Sequence, residues 1–258
     1  MNIKILIATH KRYHMPQDSI YLPIRVGCAL GVDDYGYQRD DEGENISNKN
    51  PFYSELTAMY WAWKNLKTDY VGLVHYRRHF CLTKKSQWKF ANILTGGEAT
   101  YLCSRYDVVL PKRRQYYIES LASHYKHTHD IEHLELTREI IRIKYPEYLD
   151  KFDKIMKRSY AHMFNMCIMK KELFDQYCTW LFDILFDLEK EIDTNNLSPF
   201  DARLFGRVSE LVFDVWIEQN LIKYKEIRYV HMGESNWGEK IKGFLKAKFK
   251  GKKYDKSK

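Results

Sequence analysis

Two short apolar runs, each ending abruptly in a basic cluster, constrain this chain more than any other feature. Residues 69–80, DYVGLVHYRRHF, carry a hydrophobic strand from Asp69 to Val74 straight into His75, Tyr76, Arg77 and Arg78. Residues Ile3 to Ala8 do the same before Thr9, His10, Lys11 and Arg12. A strand that is apolar on both faces must be covered on both faces, which helices packed on a largely parallel sheet provide. The pattern predicts an α/β fold, and ligands of open α/β folds bind beyond the carboxyl ends of the strands. That rule puts Thr9, His10 and Lys11 at the mouth of a site.

The rest of the chain fits one main domain. Further strands are predicted at 107–110 and 227–231, and another at 165–169. Residues 52–66, FYSELTAMYWAWKNL, place Leu56, Met59, Tyr60 and Trp63 at helical spacing behind Pro51. Residues 116–193 are helical in pattern, with a break at Lys144-Tyr145-Pro146. The Asp-, Gly- and Asn-rich stretch from Asp33 to Asn50 reads as a mobile loop. Five cysteines, odd in number and without a C-x-x-C pair, argue against a disulfide framework or zinc ribbon and fit a reducing cytoplasm. The apolar stretch at the N-terminus is too short for a signal peptide or membrane span. A net charge of +8 favours an anionic partner: nucleic acid, a phosphorylated small molecule or an acidic membrane surface.

Several residues suit chemistry. Arg77 and Arg78 form planar forks that can clamp a pyrophosphate. His75 and Tyr76 point to opposite sides of a strand end, so only one of them lines the cleft. Within DARLFGRVSE (201–210), Gly206 permits close backbone approach and Ser209-Glu210 is read as the start of a helix, LVFDVWIEQNL. Glu210 is the candidate general base, with Asp201 second. The run from His124 to His133 has metal-like spacing but no H-E-x-x-H arrangement, so it reads as a polar surface or an acceptor-lining stretch. Asp33-Asp34 reads as a solvated turn in preference to a cation site.

The strings NISNKN (45–50), ELTAMYWAWKN (55–65), YVGLVHYRRHF (70–80) and NMCIMKKELFDQYCTWLFDIL (165–185) together resemble the bacterial capsular and exopolysaccharide glycosyltransferases whose shared domain was long catalogued only as one of unknown function. The resemblance covers about residues 3–237. It implies a GT-A-like, Rossmann-related nucleotide-sugar-binding domain with a helical acceptor-side insertion. The implied reaction moves a hexose, galactose first as pyranose or furanose, from a UDP-sugar to a lipid-linked saccharide, with inversion. Thr9, His10, Lys11, Asn50, His75, Tyr76, Arg77 and Arg78 are then nucleotide-sugar residues, Glu210, Asp201 and Arg77 catalytic, and His129 and Arg203 acceptor residues. Where GT-A enzymes usually carry Asp-x-Asp for a divalent cation, this sequence has His75-Tyr76-Arg77-Arg78. The expectation is therefore no metal cofactor, with Mn²⁺ or Mg²⁺ as the alternative, because cationic side chains can neutralise a departing diphosphate.

These readings divide the chain into a glycosyltransferase domain, 1–236, and a basic amphipathic tail, 237–258. The tail, with its many lysines and Ile241, Phe244, Leu245 and Phe249, suits an anionic membrane surface. The expected location is the cytoplasm, peripheral at the inner face of the plasma membrane. The rival reading is a basic, aromatic-rich nucleic-acid-binding module. It lacks any recognisable RNP, zinc-finger or helix-turn-helix pattern.

Overall fold

A computed structural model describes residues 1–84, 86–194 and 197–233. The expected tail, 237–258, lies outside the described residues. The described residues form ten strands: β1 (Ile3–Thr9), β2 (Tyr21–Arg25), β3 (Gln38–Arg39), β4 (Tyr70–His75), β5 (Arg78–Cys81), β6 (Val108–Pro111), β7 (Arg114–Gln115), β8 (Tyr160–Ala161), β9 (Cys167–Lys170) and β10 (Lys225–His231). The helices are α1 (Asn50–Tyr53), α2 (Leu56–Asn65), α3 (Gly96–Cys103), α4 (Leu121–Thr128), α5 (Glu132–Lys144), α6 (Leu149–Met156), α7 (Lys171–Glu191) and α8 (Leu204–Gln219).

Eight strands make one sheet in the order β3-β2-β1-β4-β5-β10-β6-β9, and β9 pairs with β4 as well. Around the central strand, β1 is parallel to both β2 and β4, whereas β9 is antiparallel to β4 and to β6. Strands β7 and β8 form a separate small ribbon. The two-residue period of β4 sorts its side chains. Val71 and Leu73 enter the core shared with α7 and α8, while Tyr70, Val74 and Tyr76 enter the core shared with α3. His75 therefore belongs to the helical side of the sheet, and Tyr76 is buried against the opposite layer. Gly72 lets the strands close together, since a Cβ there would lie 2.9 Å from Ile5 Cγ1 and 3.2 Å from the Cys167 carbonyl.

Three sequence expectations need correction. The stretch 33–50 is a pinned loop, because the wholly buried Asp40 accepts hydrogen bonds from Gly27 N (2.8 Å), Cys28 N (3.0 Å), Ser47 Oγ (2.5 Å) and Thr57 Oγ1 (2.7 Å). The predicted helix 52–66 is broken at Ser54, whose φ of 52° ends α1 and restarts the chain as α2. Helix α8 begins at Leu204, five residues before the expected start, so Glu210 stands mid-helix. Its first turn is continuous with a 3₁₀ turn at Asp201–Arg203. Elsewhere α5 does end at Lys144, with Pro146 opening a 3₁₀ turn.

Candidate active site

A cavity of about 310 Å³ opens at the carboxyl end of β4, between α4, the β7 ribbon and α8. One helix face supplies much of its wall. Arg203, Gly206, Arg207 and Glu210 follow the i, i+3, i+4, i+7 pattern of a single helical stripe, and all four line the cavity. The end of β4 adds His75, the start of β5 adds Arg78, and the break at Ser54 turns Glu55 inward to face them. Aromatic rings of Tyr116, Tyr125, Phe164 and Phe200 complete it.

The corner Phe164–Asn165, just before β9, ties these groups together. Both residues have left-handed backbone, φ 76° and 51°. The Phe164 carbonyl accepts from His75 Nε2 at 2.5 Å. Asn165 Nδ2 donates to Glu55 Oε1 at 2.8 Å and to the Gly206 carbonyl at 3.1 Å, while Ser209 Oγ donates to Asn165 Oδ1 at 2.9 Å. The Arg78 guanidinium lies 4.2 Å from the centre of the Phe164 ring. Burial lowers the pKa of His75 against the pull of Glu55, so the ring is neutral at neutral pH. Its Nε2–H is committed to Phe164, which leaves Nδ1 as an acceptor.

Burial, and then the Glu55 carboxylate, push Glu210 up to about 7. A backbone hydrogen bond from Phe164 and the charges of Arg78 and Arg114 act the other way. A carboxyl group poised there can take a proton from a hydroxyl near neutral pH, which is what a general base requires.

A second cluster lies at the carboxyl end of β1. The Tyr76 ring is its platform: His10 meets it edge-on at 5.2 Å, Lys11 Nζ lies 5.4 Å from its centre and the Arg77 guanidinium 5.1 Å. Desolvation lowers the pKa of His10, followed by the charges of Lys11, Arg25, Arg203 and Arg77. These five cationic or potentially cationic groups therefore converge, and Arg203 joins this cluster to the cavity, with its Nε held by Ser54 Oγ at 3.1 Å.

Not every expected residue faces the site. Thr9 is 1% exposed and its hydroxyl donates to the Lys11 carbonyl at 2.6 Å, so it shapes the β1 turn. The Asn50 amide donates to the Ser54 carbonyl at 2.8 Å and to Thr57 Oγ1 at 3.2 Å, holding the α1–α2 break. Asp201 accepts from Ser198 Oγ at 2.6 Å and does not line the cavity, because the 3₁₀ turn directs it away. Arg77 lies in the β1 cluster, outside the cavity that Arg78 lines. The histidine run is divided. His124 and His127 face Glu119, at 3.4 and 3.0 Å, and His133 is buried on Tyr125; His124 and His129 both line the cavity, His129 against Phe200. Among the described residues no group of three or more His, Cys, Asp or Glu side chains is placed to share a metal ion. Asp34 pairs with Arg39 at 3.2 Å in a turn. Sequence reasoning missed Glu55, because its inward turn comes from the positive φ of Ser54, which the residue types around it do not announce.

The sequence profile of a family described as a domain of unknown function, DUF4422, matches residues 4–221. The chain belongs to the DUF4422 family. A solved apo structure titled WbbM bifunctional glycosyltransferase is similar to it at 31% identity and a TM-score of 0.83, over 91% of this chain. This DUF4422 chain spans 46% of that solved chain, less than half of it. No curated protein matches it. The DUF4422 fold here is thus a mixed α/β architecture shared with a glycosyltransferase.

Proposed function

We propose that this chain is a nucleotide-sugar-dependent glycosyltransferase that moves a hexose, galactose first, from a UDP-sugar to a hydroxyl of a lipid-linked saccharide in capsule, exopolysaccharide or O-antigen synthesis. The observation that carries the reading is Glu210, a carboxyl group titrating at about 7 inside a cavity that abuts a convergent cationic cluster. Likeness to the bifunctional glycosyltransferase supports it. In this reading the domain is GT-A-like, and His10, Lys11 and Arg77 hold the diphosphate on the Tyr76 platform. The leaving group's charge develops against Arg77 and Arg78, which supply the positive field where it is needed. Glu210 removes the acceptor proton as the hydroxyl attacks the anomeric carbon with inversion.

The same cations replace the divalent metal of many GT-A enzymes, so the reaction runs without one. Among the described residues no helix is long and apolar enough to cross a membrane. The reading places the protein at the cytoplasmic face of the plasma membrane, held by the basic segment 237–258. A thermal-shift series with UDP-, GDP-, CMP- and dTDP-sugars, each with Mn²⁺ or EDTA, tests it, since a selective ligand stabilises the folded state. Stabilisation by UDP-sugars alone, unchanged by EDTA, is expected. No stabilisation by any nucleotide sugar would refute the reading.

A further inference from the structure

We propose that Arg114 and Arg207 form an anion subsite in this cavity, which binds an acidic substituent, a ring carboxylate, on the saccharide acceptor. The inference rests on the glycosyltransferase reading and deepens it by naming the acceptor's chemical class. Four guanidinium groups line the cavity, on Arg78, Arg114, Arg203 and Arg207, against the two carboxyl groups of Glu55 and Glu210. Because Glu210 is half-protonated near neutral pH, the excess of positive charge is larger than the residue count implies.

Neither Arg114 nor Arg207 has a carboxylate partner among the described residues. Arg207 Nη2 donates to the Phe200 carbonyl and its guanidinium lies 4.3 Å from the Phe200 ring centre, yet its Nη1 is buried without a hydrogen-bond partner. Burial lowers its pKa, and the charges of Asp201 and Glu210 offset this only in part, so a further anion against the unpaired Nη1 would be favourable. Arg114 is exposed at the rim and rests 4.9 Å from the Tyr116 ring centre. A carboxylate accepts two parallel bonds from a guanidinium fork.

Position assigns the anion to the acceptor. The donor diphosphate already has the β1 cluster of His10, Lys11 and Arg77, none of which lines the cavity. Arg114 and Arg207 come instead from β7 and α8, beside Tyr116, Tyr125 and Phe200, whose faces suit the apolar side of a sugar ring.

The test uses the full-length protein in calorimetric titrations with methyl β-glucuronide, with the neutral methyl β-glucoside, and with UDP. The wild type should bind the glucuronide about tenfold more tightly than the glucoside, with UDP bound simultaneously. Arg207→Met should abolish that preference and leave UDP affinity within about twofold. Arg114→Gln, at the exposed rim and so without risk to folding, should reduce it severalfold. Equal binding of the two glycosides, or a preference that survives both substitutions, overturns the subsite. Competition between UDP and the glucuronide overturns its assignment to the acceptor. Loss of UDP binding with the glucuronide preference intact sinks the donor reading and leaves the subsite standing.

Discussion

Replacing Glu210 by Gln separates its chemical role from its structural one, because the amide keeps shape and hydrogen bonding but cannot accept a proton. The folded-state value of about 7 lies above the ordinary 4.5. The raised group therefore favours folding fully below pH 4.5, and that contribution is lost as pH rises through 7. The difference corresponds to about 3 kcal/mol carried as an unfavourable ionised carboxylate at pH 8. Glu210→Gln should accordingly melt several degrees above wild type at pH 8, with the gap closing toward pH 5. Transfer should fall by about 10² to 10⁴-fold, the usual loss of a general base. In the wild type, kcat/KM should rise about tenfold per unit as pH climbs toward 7 and level off above it, a limb absent from the variant. The assays are a thermal melt across pH and a nucleotide-release assay with a soluble acceptor analogue. A flat wild-type profile between pH 6 and 8, or a variant within about threefold of wild-type turnover, would refute the assignment.

Arg77→Ala should depress transfer by about a hundredfold if its charge meets the diphosphate fully only in the transition state, and steady-state kinetics within threefold of wild type would reduce it to a surface charge. Asp40→Ala strips the acceptor from four donors around a buried carboxylate and should lower stability in urea by roughly 3 kcal/mol or more, with the cavity's pH profile unchanged. Asn165→Ala should lower kcat more than it raises KM and shift the pH profile, since it frees Glu55 and detaches the corner from α8; rescue by Asn165→Asp is not expected, because a carboxylate cannot donate to Glu55. Truncation after Asn236 should leave a folded, active enzyme that no longer sediments with phosphatidylglycerol vesicles, and continued sedimentation would place membrane contact elsewhere.

The strands were legible because burial on both faces leaves long apolar runs: Ile3 to Ala8 and Asp69 to Val74 identify β1 and β4 almost to the residue. Alternation along β4 also separated His75 from Tyr76, although not which of them faced the cavity, since that depends on where α7 and α8 pack. What escaped was set by single residues with unusual backbone. Ser54 at positive φ divides one amphipathic stretch into two helices, and nothing in the hydrophobic spacing of Leu56, Met59 and Tyr60 reports that break. Asp40 could not be told from its exposed neighbours, because its burial comes from partners as far along the chain as Thr57. Arg203, Gly206, Arg207 and Glu210 did carry a helical stripe in the sequence. Starting the helix at Ser209 hid it.

The corner at Phe164 and Asn165 explains why a chain would tolerate two successive left-handed residues beside its cavity. Asn adopts that backbone with modest strain, but Phe does so at about 1–2 kcal/mol, so the corner persists only where its surroundings hold it. Here they do. The Phe164 carbonyl fixes the His75 ring, its backbone bonds Glu210, its side chain carries Arg78, and Asn165 reaches Glu55 and α8. An extended backbone at these positions would direct the carbonyl and the amide to different sides and could satisfy only part of this set. The strain is thus local, whereas its effect is to bring groups from β4, β5, α2 and α8, distant in sequence, to one point. Burial in the cavity raises Glu210 to the range where a base at neutral pH is useful, and the repulsion of the Glu55 carboxylate held beside it adds to the rise. The corner's own backbone bond from Phe164 acts against that rise by stabilising the ionised carboxylate, so breaking this bond alone should push Glu210 further up.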